Sequence, residues 1–561
     1  MDIVAKIIAA LQKALVELGI EGVVPSLEHP ADLTHGDYAT SVALVASKAA
    51  KKNPKALAEE LVAALGSIDG VEKIEVAGPG FINFSLSRKF FTTSVADIVA
   101  VGSDWGKNGI LKNKKVIVEY TSPNLFKPLH VGNLMSNITG ESLARLVEFA
   151  GAEVRRFNYP SDIGLTVAKA VWGVQKTGSD PDDILALGKA YAVGASAYED
   201  DEKAKKEIEE INKKLYDKSD SDLDLIYQKG RTTSLRHLLA ICKTLGTEKF
   251  DLEFYESQSG PAGLQVVSAH IEDGIFEKSD GAVIFRGEPH GLHTEVFINS
   301  QGLPTYGAKD IGVITHKREV FPFDLSIIET GGEQQQYFKV VFKASETVYP
   351  DLVGKQIHIG HGFLSLTTGK MSSRKGNVLT GESILEDLHN AAIEKMKDRE
   401  LGDAKAEVAD AVAVAALKFG ILKQGTGRNV TFDPAAALSF EGDSGPYLQY
   451  SHTRALSVLA KAKEEKITPS SSMAPDKTDD LERVLYRFPE VVLRATKEYE
   501  PHYVTTYLTE LAGMFNSWYA REKIVDTHDP HSSYKVALTQ AFATTMKNGL
   551  WLLGITAPEH M

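Results

Sequence analysis

The stretch from Lys114 to Asp162 limits the fold more than any other part of the chain. KKVIVEYTS is a compact β-branched run, the pattern of a parallel strand buried on both faces. Helical periodicity begins after Pro128 and continues to Ala150. VRRFNYPSD then predicts a second strand. Strand, helix and strand within roughly 45 residues make a βαβ unit, and such a unit implies a doubly wound α/β sheet.

The remaining organisation is read around that unit. At roughly 100–200 residues per domain, 561 residues suggest about three or four domains. Residues 1–95 predict a small, separate α/β domain. An opening helix in MDIVAKIIAALQKALVELGI leads to HGDYATSVALVASKAAKKNPKALAEELVAAL, further helix broken at Asn53-Pro54. VEKIEVAGPGFINFSLS then alternates like strands around a turn at Gly78-Pro79-Gly80. The sheet domain is expected over 112–400. The charged stretch 180–250 predicts solvated helices inserted between the halves of the sheet, in a helical insertion reaching to about 290. Strand-like segments return at GAVIFRG, HTEVFIN, DLSIIET and KQIHIGHGF. Residues 407–561 predict an all-α bundle, with SSSMAPDK as a loop inside it.

Two segments carry candidate chemistry. His130-Val131-Gly132-Asn133 opens the helix that follows the first strand. A helix start offers free N–H groups and a positive dipole end to a phosphate. Gly132 lets a nucleotide approach the backbone, and His130 can donate to a phosphate oxygen. Far downstream, Gly369-Lys370-Met371-Ser372-Ser373-Arg374-Lys375-Gly376 supplies three cations and two hydroxyls in a glycine-bounded loop, suited to a triphosphate. Alone, the first is most simply a helix start with an incidental histidine, and the second an exposed basic loop. Their order is the stronger signal, because each follows a predicted strand of one sheet.

Together they resemble the paired signatures of the class I aminoacyl-tRNA synthetases, and within that class the arginyl-tRNA synthetases. VEYTSPNLFKPLHVGNL, GLPTYGAKDIG with GGEQQQYFKVVF, and KMSSRKGNV carry the resemblance. HGDYAT, AGPGFINF, ALKFGILK, LSFEGDSGPYLQYSHTRALSVL and GLWLLGITAPEHM extend it over nearly the whole chain; it is weakest over 180–250. It implies a Rossmann-like catalytic domain, a tRNA-contacting N-terminal domain and a helical anticodon-binding domain. The first signature of the family ends in His where this chain has Asn133. The second lacks its second lysine, and Arg374 and Lys375 follow instead.

The resemblance implies that arginine is activated with ATP to the adenylate and pyrophosphate, then transferred to the 3′ end of its tRNA. Catalytic roles fall to His130, Asn133, Lys370, Arg374 and Lys375. ATP contacts are expected from these residues with Gly132, Met371 and Ser372. His361 and Phe363 are expected at the adenine and Glu333 at the ribose. Reading a planar cation needs carboxylates placed for a bidentate pair, and Glu119 and Asp310 are the candidates. Glu119 lies in an apolar strand, where a charge without a partner is expensive, so a functional role is favoured. By resemblance, Asn124 and Gln334 hold the α-amino or carboxylate end and Tyr306 contacts the side chain. Tyr306 and Asp310 are four apart and share a face if helical. Mg²⁺ is expected with ATP, held mainly through phosphates. The family generally activates arginine only with tRNA bound and is monomeric by default.

Bulk properties set the remaining limits. The one cysteine, Cys242, permits no intramolecular disulfide, and no Cys/His cluster has zinc spacing, so no metal site or structural zinc is expected. A reducing, cytoplasmic setting fits. No apolar run of about 18 residues predicts a membrane span. The net charge of −13 lowers the expectation of nucleic-acid binding, yet a large acidic enzyme can still present a local basic surface. C-terminal aromatics (Tyr447, Tyr450, Tyr503, Tyr507, Phe515, Trp518, Tyr519) are candidates for stacking on bases, with core packing the simpler role for each. Two alternatives compete: a class I synthetase for another amino acid, and a non-catalytic tRNA-binding paralogue. Two carboxylates at 119 and 310 argue against a neutral substrate, and the intact lysine-bearing loop argues against loss of catalysis.

Overall fold

The computed structural model describes residues 3–367, 380–397 and 402–561. The loop candidates Lys370, Met371, Ser372, Arg374 and Lys375 lie outside the described residues. The chain divides into two compact units, each assembled from separate stretches. One joins Met1–Trp105 to Ser451–Pro489 and Glu510–Lys547, and the other joins Gly106–Tyr450 to Glu490–Thr509 and Asn548–Met561.

In the first unit, helix Ile3–Glu17 turns Ile3, Ile7, Leu11, Ala14 and Leu15 inward, one face at helical spacing. Its neighbours include an antiparallel sheet of β1 (Tyr38–Thr40), β2 (Val71–Ala77) and β3 (Phe81–Leu86) in the order β1-β3-β2. The break at Asn53-Pro54 is present: the Asn53 side chain accepts the Lys55 N–H at 3.0 Å, and Pro54 takes the first helical position. The expectation of helix from HGDYAT onward is corrected, because Tyr38–Thr40 is a strand. The buried Asp37 carboxylate accepts the Leu86 N–H at 2.7 Å and the Asp37 N–H donates to Phe84 O at 2.8 Å, pinning this stretch to β3. Arg483 meets the other Asp37 oxygen at 2.5 Å, and Tyr486 sits in the same apolar core as Ile7, Leu61 and Phe84.

The second unit is built on a parallel sheet. Its strands in chain order are β4 (Lys115–Glu119), β5 (Glu153–Asn158) and β6 (Leu252–Glu253), then, after a separate antiparallel sheet β7 (Glu277–Ser279), β8 (Ala282–Phe285) and β9 (Glu295–Ile298), β10 (Leu325–Gly331) and β11 (Gln356–His361). The parallel order is β11-β10-β4-β5-β6, so the chain winds outward from β4 one way and resumes on its other side with β10. That reversal opens a crevice at the carboxyl ends of β4 and β10, where doubly wound sheets hold ligands. Val116, Ile117 and Val118 are fully buried, as the β-branched run predicts.

The faces are covered differently. Helix Val131–Phe149 packs on the Val118 face; Gly140 allows this, since a Cβ there would lie 2.1 Å from the Tyr120 Cβ. Ser136 Oγ accepts the Thr121 N–H at 2.9 Å and donates to Glu329 O at 3.2 Å, tying the helix across both strands of the crevice. On the Ile117 face, Val313 and Ile314 of helix Tyr306–Val320 and Val341 of helix Gln335–Val348 join Ile117 and Phe157 in one core.

The predicted insertion is corrected in place and kind. Helices Ile184–Asp200, Glu202–Asp217 and Ser221–Leu245 enter between β5 and β6, not between the halves of the sheet. They are not simply solvated: Ile208, Ile211 and Leu215 form a buried stripe that packs with Leu125, Phe126 and Val171. From Leu252 to Ile298 the chain is mixed helix and strand rather than helical. SSSMAPDK falls between helices Gly445–Glu464 and Asp480–Leu485, as expected of a loop. Tyr507, Phe515 and Trp518 are core residues, and Tyr519 is partly exposed. No helix among the described residues is long and apolar enough to cross a membrane.

Helices Glu256–Ala269 and Tyr306–Val320 meet through two glycines. A Cβ on Gly263 would lie 1.8 Å from Ala308 O, and one on Gly312 would lie 2.0 Å from Ser259 O. Gly312→Ala is therefore expected to force these helices apart and destabilise the protein by about 1–3 kcal/mol. A melting temperature equal to that of the unaltered protein would contradict this packing.

Candidate active site

The site begins at the first turn of helix Val131–Phe149. The Asn133 side-chain oxygen accepts the His130 backbone N–H at 3.1 Å, closing the helix start. With its oxygen so engaged, the Asn133 amide keeps two N–H donors for a ligand. This gives a local physical role to the asparagine that ends the first signature. Gly132 is needed by its neighbour, because a Cβ there would come within 2.9 Å of the His130 ring. Burial, then the charges of Lys127 and His361, hold the His130 pKa below its ordinary value, so the ring is neutral at pH 7 and donates through one N–H.

Lys127 was not singled out from the sequence. It is half-buried in the loop before His130, with its ammonium 5.1 Å from the Tyr191 ring centroid. Burial lowers its pKa. No carboxylate pairs with it among the described residues, so it is a cation available beside the helix start. The sequence signal was its place inside the proline-bracketed Pro123–Pro128 loop, three residues before His130.

The chain comes back to this point after the second signature. Thr380 pairs with His130 as an isolated antiparallel bridge, and the Gly381 N–H donates to Leu129 O at 2.8 Å.

Across the crevice, the carboxyl ends of β10 and β11 border a cavity of about 510 Å³. Glu333, His361 and Phe363 line it together, as grouped from the sequence. Phe363 is 66% exposed, an unusual exposure for a phenyl ring, and so presents a free face for stacking. Burial depresses the His361 pKa, and its Nδ1 lies 2.7 Å from Gly362 O. Thr426, Asn429 and Tyr499 complete the wall, none of them foreseen from the sequence. Phe363 is held by its own N–H, which donates to the Asn429 side chain at 2.9 Å.

The carboxylates predicted for a guanidinium are placed on the Ile117 face. Asp310 lies one turn into helix Tyr306–Val320, on the same face as Tyr306, and accepts the Tyr337 hydroxyl at 2.5 Å. Burial, with the negative charges of Glu119 and Glu256, outweighs that hydrogen bond and pushes the Asp310 carboxyl up to about 7. Tyr306 is 60% exposed. The premise for Glu119 is corrected: it is not an unpartnered buried charge, because Lys317 Nζ pairs with its Oε2 in the interior. Lys309 forms a second buried pair with Glu256. Asn124 is half-buried in the loop after β4, where the backbone pairs with Ser161, and Gln334 is exposed in the turn Gly332–Gln334. Neither side chain hydrogen-bonds to Asp310 among the described residues. No group of three or more His, Cys, Asp or Glu side chains that could hold a metal occurs among the described residues.

Three family models cover most of the chain. Residues 2–86 match the arginyl tRNA synthetase N-terminal domain, 95–433 the class I (R) tRNA synthetase catalytic domain, and 448–561 the DALR anticodon-binding domain. The arginine–tRNA ligase of Ligilactobacillus salivarius is 32% identical over 572 residues, with 100% of each chain covered. That of Clostridium perfringens is 30% identical over 571 residues, with 99% of each covered. The arginyl-tRNA synthetase structure from Thermus thermophilus superposes with a TM-score of 0.82 at 27% identity over 100% of both chains. A sheet wound this way, a helix start that ends its signature at the crevice and domain matches from end to end lead to one conclusion: the chain belongs to the arginyl-tRNA synthetases of class I.

Proposed function

We propose that this protein activates arginine with ATP and loads it onto tRNA. The arginine carboxylate attacks the α-phosphorus of ATP, the bond to the β-phosphate oxygen breaks, and pyrophosphate leaves. A terminal ribose hydroxyl of tRNA then attacks the mixed anhydride, forming the ester and releasing AMP. The observation that carries this reading is the convergence on one crevice of the His130 helix start, the chain returning at Thr380, and the Glu333–His361–Phe363 cavity.

Each residue's part follows from its surroundings. His130 and the Asn133 amide donate to phosphate oxygens, and Lys127 adds charge as it builds on the leaving pyrophosphate. Lys370, Met371, Ser372, Arg374 and Lys375 serve the same phosphates. Phe363 and His361 flank the adenine, and Glu333 accepts from the ribose. Asp310 holds the guanidinium beside Tyr306, with Glu119 behind it. Asn124 and Gln334 orient the α-amino and carboxylate groups. Magnesium arrives with ATP as part of the substrate, held by phosphate oxygens. The N-terminal and C-terminal domain matches support tRNA binding at both ends of the chain.

The test is arginine-dependent exchange of pyrophosphate into ATP, with and without tRNA. Exchange is expected with arginine when tRNA is present, and none with any amino acid would defeat the proposal. His130→Ala is expected to slow exchange about a hundredfold at unchanged melting temperature, the loss of one donor at developing charge. An unchanged rate would place the phosphates elsewhere.

A further inference from the structure

Helix Tyr306–Val320 brings two lysines and one aspartate to the sheet, and the lysines are already occupied. Lys309 pairs with Glu256 of helix Glu256–Ala269, and Lys317 pairs with Glu119 of β4. Asp310 lies between them in sequence and has no cation among the described residues; its one polar partner there is the Tyr337 hydroxyl. The cluster therefore holds three carboxylates against two ammonium groups, one positive charge short.

We propose that Lys317 decides which basic side chain this pocket accepts, by holding Glu119 from inside the protein so that Asp310 is the single uncompensated carboxylate, matched to one guanidinium. This rests on the reading of the pocket as the arginine site. Lys317 and Glu119 have side-chain exposures of 1% and 6%, so neither partner leaves the other for a substrate without stranding a buried charge. The Lys317 ammonium also stands 4.6 Å from the Phe157 ring centroid, which holds it from a second side. A substrate ammonium gains most where it can bridge two carboxylates, and here Lys317 already neutralises the second through its Oε2. A guanidinium loses less, because its planar fork engages one carboxylate bidentately and keeps further donors for neighbouring oxygens.

The arrangement also couples binding to protons. The groups facing Asp310 are Tyr337 of helix Gln335–Val348, Tyr159 just after β5, Glu119 of β4, Glu256 of helix Glu256–Ala269 and Lys317 of its own helix, with Tyr306 one turn away. Glu119 and Glu256 raise its pKa; Tyr337 and Lys317 lower it. A bound guanidinium requires the ionised form, so arginine binding releases a proton near neutrality. The KM for arginine therefore falls as pH rises through about 7 and levels off above it. Removing Lys317 withdraws a lowering influence and frees a second negative charge, which moves that fall to higher pH.

The test uses the full chain with tRNA in pyrophosphate exchange, measuring kcat and KM for arginine and for lysine across pH. Lys317→Met is expected to raise lysine relative to arginine in kcat/KM by about tenfold and to move the KM curve up by about one pH unit, with kcat for arginine nearly unchanged. Lys317→Arg is expected to restore both. Glu119→Gln is expected to move the curve down, because Lys317 is then unopposed. The double variant Glu119→Gln/Lys317→Met removes the charge with its counter-ion and is expected to return the curve to its original position. If Lys317→Met folds and leaves both the ratio and the curve unchanged, the proposal fails. If Lys317→Met does not fold, unchanged curves in Glu119→Gln defeat it equally. Asp310→Asn separates the two readings: an unchanged arginine KM there overturns the pocket assignment itself, whatever Lys317 does.

Discussion

Asp310→Asn is expected to lower kcat/KM for arginine by about a hundred- to a thousandfold, the effect of leaving one buried charge without its partner. The substitution keeps shape and keeps an oxygen for the Tyr337 hydroxyl, which now donates to the carboxylate at 2.5 Å. What it removes is the charge. Glu119 and Glu256 remain, but each already faces an ammonium, so neither replaces Asp310 without uncovering a lysine. The loss should appear mainly in KM for arginine, and the KM for ATP should barely move, because the cavity proposed for the nucleotide is lined from the turn after β10, from β11 and from the 426–429 and 498–500 segments. A decrease smaller than tenfold at neutral pH would show that the guanidinium is read elsewhere.

Glu329→Gln is expected to stabilise the protein at pH 7, by a margin that grows as pH rises, while leaving exchange activity nearly intact. Glu329 lies in β10 and is fully buried, and among the described residues no cation and no well-formed hydrogen bond meets its carboxylate oxygens. Its pKa is raised well above the ordinary 4.5 by burial, against a weaker lowering from Ser136. The native state therefore keeps a proton that the unfolded chain releases above pH 4.5. When the native state binds more protons, stability falls as pH rises, by about 1.4 kcal/mol per unit from the unfolded pKa up to the folded one. Glutamine carries no such linkage. The difference between the two proteins should vanish near pH 4 and grow through neutrality. Denaturant midpoints at pH 4, 6 and 8 read this directly, and a constant difference would mean that Glu329 is not a buried acid.

Much of the local geometry of the candidate site was legible in the sequence because its signals are local. A β-branched run followed by a proline loop and helical periodicity fixes a strand, a turn and a helix start within a few residues of one another. Hence His130, Gly132 and Asn133 could be placed at a helix N-terminus, where the structure has them. Glu333, His361 and Phe363 were grouped by resemblance and line one cavity. The strand at Tyr38–Thr40 was missed because its cause is distant in sequence: Asp37 is pinned to Leu86 and Phe84. The insertion was misplaced because charge runs report solvation on one helix face and hide the buried stripe of Ile208, Ile211 and Leu215 on the other.

By itself the sequence determined the class of fold, the helix that opens at His130 and the family to which the chain belongs, since periodicity, turn chemistry and ordered motifs are written residue by residue. Only the tertiary structure decided which charges are free. Glu119 looked like a carboxylate awaiting a substrate until Lys317, from a helix nearly two hundred positions away, was found against it. Lys127, not singled out from the sequence, stands beside the helix start with no carboxylate paired to it among the described residues. Whether a charged side chain is satisfied depends on groups brought together by packing across long sequence separations, and burial then fixes the energy of that pairing.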